Sequence, residues 1–208
     1  DYNMEMLRTL LSRGCTLVDY ERIVDERGRR LVFFGYYAGL AGMLDSLWAF
    51  GQRALADGID SPFSALKRAY QYHDLDAARA AVEEVGRAIR IKGIPYDLQP
   101  MVIGYAGYGN VSRGAQSIGD HLPTVEVTPE QLAAGDLGDT HPARTVYKVV
   151  FKEEHMVRRG DGGAFSLQEY YDHPERYEGC FEDQLDHLSV LVNCIYWEER
   201  YPRLMTLE

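Results

Sequence analysis

The features that would let a chain span a membrane or bind nucleic acid are missing from this sequence. No apolar run reaches the roughly 18 residues that a membrane-spanning helix needs, and no signal-peptide pattern is visible. Basic residues are the minority, since 22 Lys and Arg stand against 32 Asp and Glu and give a formal net charge of -10. Such a surface repels a phosphate backbone, so we expect neither a membrane nor a nucleic acid as a partner.

Cysteine is scarce as well. Cys15, Cys180 and Cys194 are odd in number and lack the spacing of metal ligands. His141 and His187 have no spacing partner either, so we predict no metal site. No Ser-His-Asp or Cys-His arrangement is visible, which argues against a side-chain nucleophile. Unpaired thiols are typical of a reducing compartment, and we predict a cytoplasmic location.

The sequence has enough apolar material for a folded core. Hydrophobic residues make up 46% and charged residues 26% of the 208 positions, a balance that argues against global disorder. The chain begins at Asp1 rather than at Met, so we expect it to be a fragment of a longer protein.

The predicted elements change character along the chain. Up to about residue 98 the pattern is mostly helical, with an Ala-rich amphipathic helix that ends at Gly93. From about residue 99, strands alternate with helices, which indicates βαβ units and a parallel sheet. The apolar run at 189–197 is typical of a buried parallel strand. We predict an α/β fold, a Rossmann-type parallel sheet with helices on both faces, preceded by an α-rich segment from a second domain.

Two segments carry more detailed predictions. Residues 15–35 predict two short strands joined by the polar turn "DERGR". Residues 145–157, "TVYKVVFKEEHMV", are rich in β-branched and aromatic side chains and predict one strand.

A glycine-rich turn, "YAGYGNVSRGAQ", stands between a predicted strand and a predicted helix. In a dinucleotide site the first glycine, here Gly107, allows a tight turn, and the second, Gly109, lets the backbone approach a pyrophosphate at the helix N-terminus. The third position of the pattern is Ser112, which is small enough to pack and could donate to a phosphate oxygen. Arg113 could add positive charge. A strand–turn–helix without a ligand stays open as the alternative.

A second part of such a site is an acidic residue about 20 positions further on, which binds the ribose hydroxyls. Glu126 lies in the next predicted strand, "TVEVT", and Thr128 closes that strand. The carboxylate would favour NAD, whereas Thr128 or a nearby basic residue would tolerate the phosphate of NADP. Glu126 could equally be an exposed strand residue that binds no ligand.

Several segments together look like one family, the lysine-ketoglutarate reductase part of the bifunctional aminoadipic semialdehyde synthases. They are "CTLVDYERIVDERGRRLVFFGYYAGLAGM", "GYGNVSRGAQ", "EEHMVRR", "YYDHPERY" and "VNCIYWEERYPRLMT". The lysine-forming saccharopine dehydrogenase of fungi is more distantly similar. The resemblance implies kinship in fold with alanine dehydrogenase and the transhydrogenase nucleotide domain, with two Rossmann-like domains around an active-site cleft.

The resemblance also implies a reaction. L-lysine and 2-oxoglutarate condense to an imine, which a reduced nicotinamide cofactor converts to saccharopine. Bifunctional members mostly use NADPH and the fungal enzyme uses NAD, so NADP or NAD is implied, with NADP slightly favoured. The general acid/base Lys and His of the family lie upstream of anything that matches Asp1. We therefore expect no catalytic residue within this chain, and no turnover by the chain alone.

The resemblance assigns residues where the motifs match. Residues 1–98 would belong to the substrate domain and its interdomain helices, and residues 99–208 to the dinucleotide-binding domain. The pyrophosphate loop would be Gly107, Gly109, Asn110, Val111, Ser112 and Arg113. The residues near the nicotinamide ribose would be Asn193, Cys194, Ile195 and Tyr196. The residues at the interdomain cleft would be Gly35, Tyr36, Tyr37, Ala38 and Gly39.

Other interpretations stay open at this point. A deamination like that of alanine dehydrogenase would use the same fold with a smaller substrate, and a non-catalytic nucleotide-binding domain would need no further groups. His155, with Arg158 or Arg159, could face a substrate carboxylate, although a solvated strand end is the simpler interpretation. A homo-oligomer is compatible with the sequence.

Overall fold

The chain folds into two units, Asp1–Phe34 and Gly35–Glu208, in the computed structural model, which describes residues 3–138, 140–196 and 198–206. The first unit contains helix α1 (Met4–Ser12) and a short 3-10 turn. Its predicted hairpin is reduced to one antiparallel bridge between Val24 and Arg30, around a turn in which the Asp25 carboxylate accepts two backbone N–H groups. No described residue of this unit is buried, so its strands lack a core to pack against.

The second unit contains the remaining regular elements. Its helices are α2 (Gly35–Ala56), α3 (Leu75–Lys92), α4 (Asn110–Gly119), α5 (Pro129–Ala133), α6 (Glu153–Met156), α7 (Leu167–Asp172) and α8 (Glu182–Leu185). Its strands are β1 (Met101–Ala106), β2 (Thr124–Glu126), β3 (Val146–Phe151), β4 (Val157–Arg159), β5 (Tyr177–Gly179) and β6 (Val190–Asn193).

The predicted helix ending at Gly93 is confirmed as α3. Asp74 caps its N-terminus by accepting the Ala77 N–H at 2.8 Å. Gly93 closes it with φ +85°, a left-handed conformation that favours glycine.

Four parallel strands form the main sheet in the order β2-β3-β1-β6. β2, the strand that follows β1 along the chain, is therefore at an edge of the sheet, and β3 lies between β2 and β1. Ala106, the last residue of β1, pairs with Phe151 at the end of β3 and with Asn193 at the end of β6. The carboxyl ends of β1, β3 and β6 consequently meet at one end of the sheet.

Helices cover both faces of this sheet. Met101, Ile103 and Tyr105 of β1 pack on one face with the buried sides of α2, α3 and α4. Val102 and Ala106 point to the other face, where α5, α7 and the antiparallel pair β4–β5 supply the core. The predicted α/β Rossmann-type fold is confirmed. Helices α2 and α3 pack into the same core as β1. The assignment of residues 1–98 to a substrate domain stays a prediction.

The segment 145–157 is not one strand as its composition predicts. β3 ends at Phe151, one helical turn (α6) follows, and the chain re-enters a different sheet as β4. The Lys152 backbone N–H donates to Nδ1 of His155 at 2.9 Å and closes this turn. Such a local side-chain bond competes with the ladder of a continuing strand.

Candidate functional site

The glycine turn lies at the carboxyl end of β1, between β3 and β6. Gly107 has φ +97°, and its N–H donates to the Phe151 carbonyl at 2.8 Å. A Cβ atom at Gly107 would lie 2.9 Å from Cγ2 of Ile195, so both conformation and space require glycine here. At Gly109 a Cβ atom would meet no protein atom within 4 Å. The space in front of Gly109 is open to a ligand.

Helix α4 starts at this open space. Gly109 is its N-cap residue, and no side chain caps the helix. Asn110 accepts a hydrogen bond from the Arg113 guanidinium one turn later, which holds this exposed cation over the first turn. Uncapped N–H groups and a nearby arginine favour an anion.

Ser112 does not face this anion position. Its side chain is fully buried, and its hydroxyl accepts a hydrogen bond from Gln116 at 2.8 Å. Burial raises the pKa of the Cys194 thiol to about 11, and a hydrogen bond with Ser112 opposes part of this shift. The small serine thus serves the packing of the turn against β6.

The residues expected at an interdomain cleft lie in the first turns of α2, which packs on α4. A Cβ atom at Gly39 would lie 1.9 Å from the Val111 carbonyl oxygen, and one at Gly114 would lie 2.0 Å from the Tyr36 carbonyl oxygen. The Tyr36 hydroxyl donates to Ser117 at 3.1 Å. Gly35 also abuts this helix, whereas Tyr37 and Ala38 are exposed. The cleft role of these residues stays a prediction.

The end of β6 lies on one side of the turn. The Cys194 N–H donates to the Ala106 carbonyl at 3.0 Å, which fixes β6 against β1. Asn193 accepts the Ile195 N–H at 3.2 Å and turns the chain away from the sheet. Tyr196 is exposed. The structure therefore brings these four residues beside the glycine turn.

Two cavities flank the turn, and Tyr108 lines both of them. The cavity on the β6 side measures about 450 Å³ and is lined by the turn glycines, Cys194, Ile195, several tyrosines and Glu153. The cavity on the β3 side measures about 530 Å³ and includes Gln116 and Lys152. Each volume is within the usual range for a small-molecule site.

Glu126 and Thr128 lie in the wall of the β3-side cavity but on the edge strand and its continuation. The Glu126 carboxylate is exposed and 3.9 Å from the Lys148 ammonium. The Thr128 hydroxyl accepts the Gln131 N–H at 3.2 Å and caps α5. Lys152 directly follows β3, the strand beside β1, whereas Glu126 and Thr128 lie on the edge strand and its continuation.

His155 lies in the wall of the β3-side cavity and is not free to act as a general base. Its Nδ1 accepts the Lys152 N–H, and its Nε2 is 3.4 Å from the Glu130 carboxylate. Arg159 is paired with two carboxylates, those of Asp161 and Glu169, each at 2.6 Å. The grouping of His155 with Arg159 around a substrate carboxylate, which the sequence left open beside the simpler interpretation, is therefore not formed.

Sequence reasoning assigned no role to Tyr108, Glu153, Tyr170 and Tyr171, which line the β6-side cavity. The Tyr171 hydroxyl donates to Glu153 at 2.7 Å, and the charge of Glu153 raises the pKa of Tyr108. Burial raises the pKa of Tyr170 to about 12. These residues come from three separate segments, so no local motif in the sequence indicates their meeting.

Among the residues that the structure describes, no three His, Cys, Asp or Glu side chains are grouped to hold a metal ion. The described helices all lack the combination of length and hydropathy that crossing a lipid bilayer requires.

Known proteins resemble the chain over nearly its full length, and this confirms the resemblance expected from the motifs. Alpha-aminoadipic semialdehyde synthase of Arabidopsis thaliana is 41% identical over 215 residues, which cover 98% of this chain and 20% of the relative. The mitochondrial enzyme of that name from Rattus norvegicus is 38% identical over 205 residues, which cover 98% of this chain and 22% of the relative. The chain thus spans about a fifth of the length of these curated relatives.

A more distant relative bears a different name. Saccharopine dehydrogenase [NAD(+), L-lysine-forming] of Candida glabrata is 28% identical over 138 residues, or 65% of this chain and 34% of the relative. No protein-family model matches the chain. The name of this relative states a dehydrogenase that acts with NAD(+) on saccharopine and forms L-lysine.

Proposed function

We propose that this chain, which belongs with the alpha-aminoadipic semialdehyde synthases over the segment it spans, binds a nicotinamide dinucleotide across the Gly107–Gly109 turn. The pair of cavities on either side of this turn is the observation that carries the proposal. In open parallel sheets, ligands bind outside the carboxyl ends of the strands where the strand order reverses. The chain leaves β1 through α4 toward β2 and β3, whereas β6 lies on the other side of β1.

The two halves of the dinucleotide would lie in different cavities. The pyrophosphate would meet the open face of Gly109 and the uncapped start of α4, where Arg113 adds positive charge. The adenosine half would occupy the β3-side cavity, because β3 is the neighbour of β1 on that side. The nicotinamide half would then lie beside Cys194 and Ile195, in the β6-side cavity.

We propose NADP rather than NAD as the cofactor. Lys152 follows β3 directly and lines the cavity that would hold the adenosine ribose, so its ammonium group can pair with a 2′-phosphate. Glu126 is further away in the sheet order, at the edge strand, and its carboxylate would only weaken this preference.

We propose that the whole enzyme condenses L-lysine with 2-oxoglutarate and reduces the imine to saccharopine. The bound cofactor would supply the hydride. This chain would bind and orient the cofactor and exclude water from one side of the reacting centre. The names of the relatives support the substrate class. The unpaired thiols of Cys15, Cys180 and Cys194 support a cytoplasmic location, which we propose for the enzyme.

The groups that move protons would come from outside this chain. Such groups must lie within hydrogen-bond reach of the substrate. His155 is engaged by Lys152 and Glu130 and lies in the β3-side cavity, away from the nicotinamide half. We therefore expect the 208-residue chain to bind cofactor without forming saccharopine.

Two measurements test this function. Titration of the 208-residue chain with NADPH and NADH should give saturable binding, and absence of binding to either would contradict the proposal. An assay of NADPH oxidation with lysine and 2-oxoglutarate should show turnover by the full-length protein and none by the chain. Pyruvate with ammonia serves as the control substrate pair, and turnover of that pair instead would assign an alanine-dehydrogenase-like reaction.

A further inference from the structure

The β6-side cavity has walls that suit a positively charged group. Aromatic rings attract cations through the negative potential of their faces. The tyrosines that line this cavity are Tyr108, Tyr170, Tyr171, Tyr196 and Tyr201. A carboxylate, that of Glu153, lines the same cavity.

The Glu153 carboxylate is held in place by its neighbours. One oxygen accepts a hydrogen bond of 2.7 Å from the Tyr171 hydroxyl on α7. Glu153 also lies within electrostatic reach of Tyr108, whose pKa its charge raises. The carboxylate is therefore fixed between the glycine turn and α7.

The other charges on this cavity balance each other. Arg200 pairs with Glu198 at 2.7 Å, and its guanidinium lies 4.7 Å from the ring centroid of Tyr201. Among the described lining residues, Glu153 is left as the charge without an opposite partner. The cavity as a whole carries one net negative charge, surrounded by aromatic rings.

We propose that Glu153 and the surrounding tyrosines bind an organic cation, and that this cation is the pyridinium ring of the oxidised cofactor. The inference rests on the proposed function, which places the nicotinamide half in this cavity. The ring is positively charged in the oxidised dinucleotide and neutral in the reduced one, whereas the phosphates are identical in both. Glu153 therefore selects the oxidised form over the reduced form, and it is a specificity-determining residue for the redox state of the cofactor.

The test compares the dissociation constants of the oxidised and reduced cofactor for the full-length protein and for Glu153→Gln. Removal of a carboxylate also relieves repulsion of the pyrophosphate, but that effect is equal for both forms and cancels in the ratio. We expect the preference for the oxidised form to fall about fivefold, the size of a partly exposed charge pair. Glu154→Gln is the matched control, because it removes the same charge from the wall of the β3-side cavity. For Glu154→Gln, the ratio of the two dissociation constants should stay at the wild-type value.

The outcomes separate this inference from the function on which it rests. If both forms bind and Glu153→Gln leaves the ratio of their dissociation constants unchanged, the inference is overturned and the proposed function is kept. Failure of the wild-type protein to bind either form would overturn both. An amino acid carries the same chemistry in its ammonium groups, so lysine binding is measured on the same proteins. An unchanged cofactor ratio together with weaker lysine binding in Glu153→Gln would assign the cavity to the substrate instead.

Discussion

Gly109 and Gly114 belong to the same glycine-rich segment, but they have opposite surroundings. Gly114 faces the backbone of α2, so closely that a Cβ atom would lie 2.0 Å from a carbonyl oxygen. Gly109 faces open space beyond the start of α4. One glycine therefore permits two helices to touch, and the other leaves room for something that is not protein. A motif can contain residues that serve packing beside residues that serve binding, and only their neighbours distinguish them.

The largest effect is expected on the packing side. Gly114→Ala should lower the free energy of unfolding by about 3 kcal/mol or more, because a backbone atom of α2 must move away. Gly42→Ala is the matched control, since Gly42 lies in α2 with nothing within 4 Å of its missing Cβ. That change should stabilise the helix by up to about 1 kcal/mol. Urea denaturation of both variants measures the two values, and equal effects would contradict the contact.

Gly109→Val should act on binding without unfolding the protein. The backbone at Gly109 has φ -76° and ψ -164°, a conformation open to other residues, and the new side chain meets no protein atom. It would occupy the position proposed for the pyrophosphate, so we expect cofactor affinity to fall at least about tenfold, or 1.4 kcal/mol. Calorimetric titration with NADPH measures the loss, and circular dichroism checks the fold. Gly42→Val adds the same side chain at a remote open glycine and should bind normally.

A smaller effect is expected at Ser112, which should contribute to packing rather than to cofactor binding. Ser112→Ala removes a buried hydroxyl that bonds Gln116 and the Cys194 thiol, so stability should fall by about 1 kcal/mol. Cofactor affinity should not change, because the hydroxyl is not exposed to a ligand. A tenfold loss of affinity at unchanged stability would restore the sequence-based expectation that this serine donates to a phosphate.

The smallest effect concerns the choice of cofactor. Glu126→Ala removes a carboxylate from the edge of the proposed adenosine cavity and should improve NADPH binding by about threefold, within the range of exposed charge interactions.

Lys152→Ala should weaken NADPH binding and leave NADH binding nearly unchanged. If the wild-type chain binds NADH at least about tenfold better than NADPH, the preference proposed for NADP is wrong.

The local part of this site was predictable from the sequence, because it depends on neighbours along the chain. Gly107 and Gly109 mark the turn, and the apolar residues before them mark a strand that the structure confirms as β1. The order of strands was not predictable. β2 follows β1 in sequence, but it has three residues and is largely exposed, whereas β3 has six mostly buried residues. Burial of the more apolar strand decides which one lies beside β1.

Side chains that meet from distant segments escaped prediction for the same reason. Glu153 was part of a predicted strand, and the turn that instead exposes it to the β6-side cavity is closed by hydrogen bonds in both directions between Lys152 and His155. Tyr171 lies in the segment "YYDHPERY", which carries the family resemblance but does not indicate a contact with Glu153. Ser112 fits the glycine pattern by size, yet its surroundings give its hydroxyl to Gln116 rather than to a ligand.

The contact between α2 and α4 also determines how the chain can tolerate mutation. The atoms that a Cβ would meet at Gly39 and Gly114 are backbone atoms, the nearest of them carbonyl oxygens, which every amino-acid sequence supplies. No second-site change of side chain can remove them, so neither glycine has a genetic suppressor at the contact itself. Gly104 differs, because its Cβ would meet side-chain atoms of Leu188 and Phe151 at 2.9 Å. Smaller side chains at 188 and 151 together could make room there, so a substitution of Gly104 can be compensated in a way that substitutions of the two helix glycines cannot.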